Sequence, residues 1–198
     1  MPRQPSVDIE LTNQLSKRDP SEVSRYLAIS YIEKEYDEYI QIYTDGSKML
    51  CGAGFSFYVP DLDVREAIIC SRDSSPFSVE LMAIREAAYW ICENFTNASK
   101  FVILSDCLDA VKSIKNVQSP FNTKMAKETL KVLMKAEENG HRVTLAWIPG
   151  HVGIPGNEKA DGLAKIAAYG EKILEKNIRY TIPPKRPMIL RKDFRGER

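Results

Sequence analysis

The sequence has no strong excess of charge of either sign. Its 28 Lys and Arg residues nearly balance its 27 Asp and Glu residues, and the net charge is +1. A chain with this balance has no general attraction for a polyanion, so a nucleic-acid site would depend on the local arrangement of its basic residues. The sequence also lacks an apolar run near the roughly 18 residues that cross a bilayer, and its first residues lack the apolar segment of a signal peptide.

Cysteine is sparse and unpaired in sequence. The four cysteines lie far apart without a CxxC motif, which argues against a zinc knuckle and a disulfide framework. No Ser-His-Asp order, Walker A sequence or HExxH motif is present either. These absences predict a soluble protein of a reducing, intracellular setting, cytoplasmic or nuclear rather than secreted and without membrane association.

A chain of 198 residues fits one domain with appendages. Residues 1–37 are polar and predict a lead-in or linker with one helix after Pro20, whose inward face would carry Val23, Leu27 and Tyr31. Residues 38–170 predict the folded domain. Residues 171–198 are rich in proline and basic residues and predict a tail that could hold a polyanion loosely.

The periodicity of residues 38–170 predicts an α/β domain. Alternation from Ile40 predicts a strand ending at Asp45, with a turn at Gly46–Ser47 and two further strands making an antiparallel meander. Apolar stripes and short apolar runs then predict alternating helices and strands. The later elements are a helix from Pro76, a strand at 101–104, a helix at 122–139, a strand at 142–148 and a helix from Pro155.

Four acids stand at the rims of these elements: Asp45, Glu80, Asp106 and Asp161. Each of the last three also has a purely structural interpretation. Glu80 could be a flank residue that reaches solvent, Asp106 could cap the following helix, and Asp161 could stabilise a positive helix end. If the strands bearing Asp45 and Asp106 are neighbours, however, the acids converge and repel one another. Hard divalent ions with a preference for oxygen, Mg²⁺ or Mn²⁺, relieve such repulsion, and a pair of them supports phosphodiester hydrolysis.

Five motifs in the chain resemble, in the same order, those of type 1 ribonucleases H, especially the domains of non-LTR retrotransposon reverse transcriptases. They are Tyr43–Lys48, Gly52–Gly54, Val79–Ile84, Leu104–Asp106 and Trp147–Asp161 with Leu163–Lys165 beyond. The resemblance implies a ribonuclease H-like fold with a five-stranded mixed sheet, order 3-2-1-4-5, flanked by helices. It also implies metal-dependent cleavage of the RNA strand of RNA–DNA hybrids, leaving a 5′-phosphate and a 3′-hydroxyl.

The resemblance further implies the roles of individual residues. Asp45, Glu80, Asp106 and Asp161 would bind two Mg²⁺ ions, with Mn²⁺ as a substitute and Asp45 shared between them. His151 would assist proton transfer or product departure from a mobile loop. A covalently linked reverse transcriptase domain is an expected partner, and the isolated domain is expected to be monomeric. Cys107 departs from the family pattern, where serine is common.

Contacts with the hybrid are less marked in the sequence. Gly46, Ser47 and Asn157 are candidates for contacts with the 2′-hydroxyl groups of the RNA strand across the minor groove of the hybrid. Lys124, Lys127 and Lys131, which continue to Lys135, form a basic ridge that is either a phosphate-binding surface or a solvated helix face. Two other functions remain open: a non-catalytic nucleic-acid-binding module, and a DNA transposase, integrase or junction nuclease of related fold.

Overall fold

The computed structural model of the protein describes residues 4–16, 18–116 and 123–169, so the predicted tail at 171–198 lies outside the described residues. The strands in these ranges are β1 (Ser6–Asp8), β2 (Ile40–Lys48), β3 (Ala53–Val59), β4 (Val64–Cys70), β5 (Lys100–Ser105) and β6 (Arg142–Trp147). The helices are α1 (Leu11–Gln14), α2 (Ser21–Tyr36), α3 (Pro76–Asn94), α4 (Leu108–Lys115), α5 (Lys124–Glu138) and α6 (Pro155–Tyr169). None of them has the length and apolar character of a bilayer-spanning helix in the part of the chain described.

One mixed sheet runs in the order β4-β3-β2-β5-β6-β1. Strands β2, β3 and β4 pair antiparallel, whereas β2, β5, β6 and β1 pair parallel. The predicted α/β class and the predicted order of five strands are confirmed. The predicted number of strands is wrong by one, because β1 has three residues and is too short to show a period of two.

The segment before residue 38 packs onto the sheet rather than trailing from it. β1 pairs with β6 in a register that runs from Ser6 opposite Thr144 to Asp8 opposite Ala146. The Oδ2 atom of Asp8 accepts hydrogen bonds from the hydroxyl groups of Tyr31, at 2.8 Å, and Tyr36 on α2. These bonds join β1 to α2, so the strand and the helix pack on the sheet as one unit.

The helix predicted after Pro20 is present, but its buried face differs from the prediction. The buried residues are Ser24, Ala28, Ile32 and Tyr36, while Val23 is 44% exposed. The buried positions follow the predicted ones by one residue, a rotation of about 100°. Small side chains at the first two positions let the helix approach the sheet, and their low apolarity hid this face in the sequence.

The first long strand does not end at Asp45. Strand β2 continues to Lys48 because Gly46 and Ser47 pair with Phe55 and Gly54 of β3. The hairpin turns instead after Lys48, where the N–H of Met49 donates to the carbonyl of Gly52 at 2.8 Å. Turn-forming composition at Gly46–Ser47 therefore gave a wrong turn position, although the meander itself is confirmed.

Side chains of the sheet alternate between two cores. Ile42 and Ile103 pack with α3, α4 and α5, whereas Tyr43 and Leu104 pack with α2 and α6. Each fully buried Ile or Leu contributes about 1.5–3 kcal/mol relative to an exposed side chain. The two layers hold α3 and α6 on opposite faces of β2, and this places acids from both helices near one strand.

Candidate metal centre

Asp45 and Asp106 are neighbours because of strand register. The parallel pairing of β2 with β5 ends where Thr44 lies opposite Ser105, and the two aspartates are the next residues on each chain segment. The carboxyl ends of parallel strands are where binding sites of α/β sheets concentrate. The alternative that Asp106 caps α4 is not supported, since Cys107 occupies the cap position of that helix.

Glu80 reaches the aspartates because α3 crosses β2 very closely. A Cβ atom on Gly46 would stand 2.7 Å from the backbone nitrogen of Glu80 and 2.9 Å from the carbonyl carbon of Val79. Only glycine leaves room for this approach. A backbone hydrogen bond from Gly46 to the Glu80 carboxylate follows from it. Gly46 thus has a structural role, the close approach of α3, that the sequence around it does not indicate.

Asp45, Glu80 and Asp106 form what we term the inner cluster, in which one carboxylate oxygen of each lies within 4.8 Å of the others. Burial raises the pKa of Asp45 to about 8, with further contributions from Asp106 and Asp161. Burial also raises the pKa of Glu80 to about 9, followed by the charges of Asp45 and Asp106. The Oε2 atom of Glu80 is buried without a hydrogen-bond partner among the described residues. Ionising all three acids is therefore costly unless a cation enters.

Asp106 is held from several directions. Asn157 donates from Nδ2 to its Oδ2 atom at 3.1 Å, and the indole nitrogen of Trp147 donates to its backbone carbonyl at 3.0 Å. A Cβ atom on Gly150 would stand 2.6 Å from Oδ2. Burial raises the pKa of Asp106, while the Asn157 hydrogen bond and the charge of His151 oppose that rise. These contacts orient the carboxylate before any ligand binds.

His151, Glu158 and Asp161 form what we term the outer cluster, whose ligand atoms also lie within 4.8 Å of one another. His151 and Glu158 are exposed, and Asp161 is half-buried. His151 has a φ of 56° and Gly153 a φ of 86°, so the loop between β6 and α6 turns through two left-handed residues. The N–H of Gly153 donates to Glu158 Oε1 at 3.1 Å, which ties the loop to the helix.

The four predicted acids do not all meet in one group. Asp161 belongs to the outer cluster and pairs with Lys165 at 2.5 Å, although its charge raises the pKa values of Asp45 and Glu80. The lysine in turn has its pKa raised by the hydrogen bond to Asp161. Asp161 is therefore close enough to affect the inner cluster but is neutralised by a neighbour on its own helix.

The predicted contacts with substrate have different positions. Ser47 is half-buried on β2, and Asn157, 1% exposed, faces Asp106 rather than solvent. Lys124, Lys127, Lys131 and Lys135 are all exposed on α5, which packs on α3 and α4. Lys124 lies 3.8 Å from Glu128, so its charge is shared with an acid on the same helix. The structure does not bring these lysines into either cluster.

Three residues have roles in the site geometry that the sequence did not reveal. Gly150 clears space for Asp106, Glu158 holds the loop, and Gly46 admits α3. Gly150 had a visible signal, because it stands directly before the only histidine of a Pro/Gly-rich turn. Glu158 stands in the first turn of α6, where an acid stabilises the helix end, and no sequence pattern indicates its bond to Gly153.

Comparisons with known proteins bear on this geometry. The family model described as RNase H matches residues 37–169 of the chain. A 43-residue stretch is 44% identical to a protein named Ribonuclease H from Lachnoclostridium phytofermentans, which covers 22% of this chain and 27% of that protein. The chain is thus aligned to about a quarter of that relative's length.

Proposed function

The chain belongs to the RNase H family, and from that premise we propose that it is a metal-dependent endoribonuclease which cleaves the RNA strand of RNA–DNA hybrids. Asp45, Glu80, Asp106 and Asp161 would bind the metal, and His151 would assist proton transfer. The family match covers all five of these residues.

The inner cluster carries the proposal. Its three carboxylates supply only oxygen ligands, and the buried Oε2 atom of Glu80 has no hydrogen-bond partner among the described residues. Such a site fits a hard divalent cation, because the cation replaces the lost solvation and relieves the repulsion that raises the pKa values of Asp45 and Glu80. The three carboxylates of the inner cluster are therefore suited to binding Mg²⁺, with Mn²⁺ as a substitute.

Two such cations, when bound, supply the charge that activates water and stabilises the leaving oxygen in phosphodiester hydrolysis. The resemblance implies that Asp45 would be shared between the two cations, and the charges of Asp106 and Asp161 both act on it. Asn157 and Trp147 keep Asp106 in one orientation, which limits reorganisation during the reaction. The salt bridge with Lys165 would have to loosen for Asp161 to take part.

His151 is suited to handling a proton rather than to fixed binding. It is exposed and lies on the outer side of the centre, on a loop fixed at Gly153 but open at the histidine itself. During hydrolysis the water oxygen bonds to phosphorus, the bond from phosphorus to O3′ breaks, and O3′ needs a proton. The imidazolium form of a histidine can supply that proton, leaving a 3′-hydroxyl and a 5′-phosphate, and the proton released by the attacking water returns through solvent.

The biological setting is part of the proposal. The likeness of the five motifs to domains of non-LTR retrotransposon reverse transcriptases supports a role in reverse transcription, with a polymerase domain as partner. The four cysteines form no disulfide bond within the described residues, and a reducing, intracellular setting is part of the same proposal.

The deciding experiment compares labelled RNA–DNA hybrid, duplex RNA and duplex DNA, each with Mg²⁺, Mn²⁺ or a chelator. We expect cleavage of the RNA strand of the hybrid alone, only with a metal present, and no cleavage by Asp45→Asn. Binding of the hybrid without cleavage in either metal would favour a non-catalytic module, and preferential cutting of duplex DNA would favour a transposase or junction nuclease.

A further inference from the structure

The added N-terminal helix brings a positive charge to the loop of the outer cluster. Arg25, on the first turns of α2, is exposed. Its Cδ, Nη1 and Nε atoms lie 3.5, 3.7 and 3.8 Å from the point where a Cβ atom on Gly153 would stand. The arginine therefore rests its stem and head group on the loop that carries His151. This support from the loop lowers the entropy that the long side chain would lose on binding a ligand.

A second cation flanks the same loop from the opposite helix. Lys159, on the first turns of α6, is exposed and lines a groove of about 550 Å³ between α2 and α6. Ile154 and Gly156, at the end of the loop, line this groove as well, as does Ile29 one turn after Arg25. Two basic side chains from different helices thus lie near the end of one short loop, Arg25 at Gly153 and Lys159 in the groove beside Ile154 and Gly156.

Neither cation has a protein partner in the described ranges. Across residues 4–16, 18–116 and 123–169, Arg25 and Lys159 form no ion pair and no side-chain hydrogen bond. The neighbouring Lys165, by contrast, is paired with Asp161 at 2.5 Å. Glu33 of α2 lines the same groove as Lys159 but forms no ion pair with it. A cation beside this loop that forms no ion pair is available to an anion from solution.

We propose that Arg25 and Lys159 contact phosphates next to the one cleaved, which makes α2 part of the hybrid-binding surface. The inference rests on the proposed function. A nucleic-acid strand carries a phosphate about every 3.4 Å along its axis, so a cation one loop-width from His151 meets a neighbouring phosphate. The planar guanidinium of arginine suits a phosphate because it can donate two parallel hydrogen bonds.

The position of this surface complements the lysines of α5. Helix α5 lies with α3 in the layer on one face of the sheet, and α2 lies with α6 on the other. The inner cluster stands between the two layers, beside β2. A duplex seated over the centre could therefore be contacted from both sides, with Arg25 and Lys159 on the side of α2 and α6.

The test measures binding rather than turnover. A fluorescently labelled RNA–DNA hybrid is titrated in the Asp45→Asn background at several salt concentrations, followed by anisotropy. We expect Arg25→Gln to weaken binding roughly three- to tenfold near physiological salt and to reduce the slope of log affinity against log salt by about 0.9. Lys159→Gln should have a similar effect, and the decrease in slope for the double variant should be about twice that for either single variant.

Two variants make the result specific. Arg25→Lys keeps the charge and should retain the slope. Lys34→Gln removes an exposed cation from the far end of α2, where Lys34 is paired with Glu35 at 3.0 Å, and should change neither affinity nor slope. An unchanged slope in Arg25→Gln, or an equal loss in Lys34→Gln, would overturn the inference. Failure of the wild type to cleave the hybrid would remove the proposed function instead, and the salt slopes would still decide the Arg25 contact.

Discussion

The inner and outer clusters contain the same kinds of atoms but are built in opposite ways. In the inner cluster, Asp45 is 5% exposed and Glu80 lies on a helix that crosses at van der Waals distance from Gly46. In the outer cluster, His151 and Glu158 are exposed on a loop and a helix start, and Asp161 has Lys165 as its partner. Burial and mutual repulsion destabilise the ionised form of the inner acids. The outer groups, by contrast, are exposed to solvent or paired with Lys165.

The contrast in burial indicates which cluster requires a bound cation. The rise in pKa of Asp45 and Glu80 is the electrostatic cost of burying acids together, and a divalent cation reverses it. Of the outer groups, His151 and Glu158 face water, and the half-buried Asp161 has Lys165 as its partner. Fixed metal binding should thus depend mainly on the inner cluster, and adjustable proton transfer on the outer one.

The largest effect should come from Glu80→Gln, with Glu158→Gln as its matched control in the outer cluster. Removal of the buried charge should lower hybrid cleavage at least about a thousandfold, since electrostatic stabilisation of this kind commonly contributes most of the rate enhancement in enzymes. It should also raise the melting temperature of the metal-free protein. Glu158→Gln keeps an oxygen for the Gly153 N–H and should stay within about threefold of the wild-type rate. Equal losses in both variants would contradict the division into two clusters.

The second effect is a pH dependence of stability in the absence of metal. Asp45 and Glu80 have folded-state pKa values raised to about 8 and about 9, so between pH 5 and 8 the folded state binds more protons than the unfolded state. The free energy of unfolding should then fall as pH rises, by on the order of a few kcal/mol in total. Urea denaturation with a chelator at a series of pH values measures it.

Addition of Mg²⁺ should stabilise the protein most at the alkaline end of that series, because there the carboxylates are ionised. Asp45→Asn should remove part of the pH dependence. A free energy of unfolding that rises with pH without metal would show that the inner carboxylates are not strained by burial.

A smaller effect is expected for His151→Ala. General acid–base assistance contributes about 10²–10⁴ in rate, so the variant should be slower by about a hundredfold yet measurable. Metal affinity and melting temperature should remain close to wild type, since His151 is exposed. The rate constant is measured at saturating hybrid across pH. An unchanged rate would remove His151 from the mechanism.

The smallest of these effects is expected for Asn157→Ala. Loss of the amide that orients Asp106 should weaken Mg²⁺ binding by about tenfold, the lower range for residues that orient a metal ligand. Isothermal titration calorimetry measures it directly. Asn94→Ala is the control, because Asn94 also donates one hydrogen bond, to the carbonyl of Trp90, but lies at the end of α3. A similar change of affinity in both variants would mean that Asn157 acts only through stability.

Much of the sheet could be predicted because its long elements follow the hydrophobic pattern. Strand β6 and helices α3 and α6 begin where the sequence predicts, and α3 starts with Ser75 accepting a hydrogen bond from the N–H of Ser78. The proximity of Asp45 and Asp106 followed from the order of the strands. Periodicity carries such information because whole faces of these elements are buried.

The rest depended on tertiary contacts that leave no periodic trace. Strand β1 is defined by pairing with β6, the burial of Ser24 and Ala28 by the closeness of α2, and the extension of β2 by its hairpin partner. Asp161 lies outside the inner cluster and forms an ion pair with Lys165, one helical turn away. Side-chain pairing of this kind is decided in three dimensions, so the motif alone could not distinguish the two clusters.

Strand β1 has a further consequence, for self-association. It occupies the hydrogen-bonding groups along one side of β6, from Thr144 to Ala146, that would otherwise form the border of the sheet. Exposed edge strands pair with strands of other molecules and favour aggregation. A fragment that began at residue 38 would expose that border of β6, together with the apolar surface that Ala28 and Ile32 now cover. By pairing with β6, the short N-terminal strand thus prevents β6 from pairing with strands of other molecules.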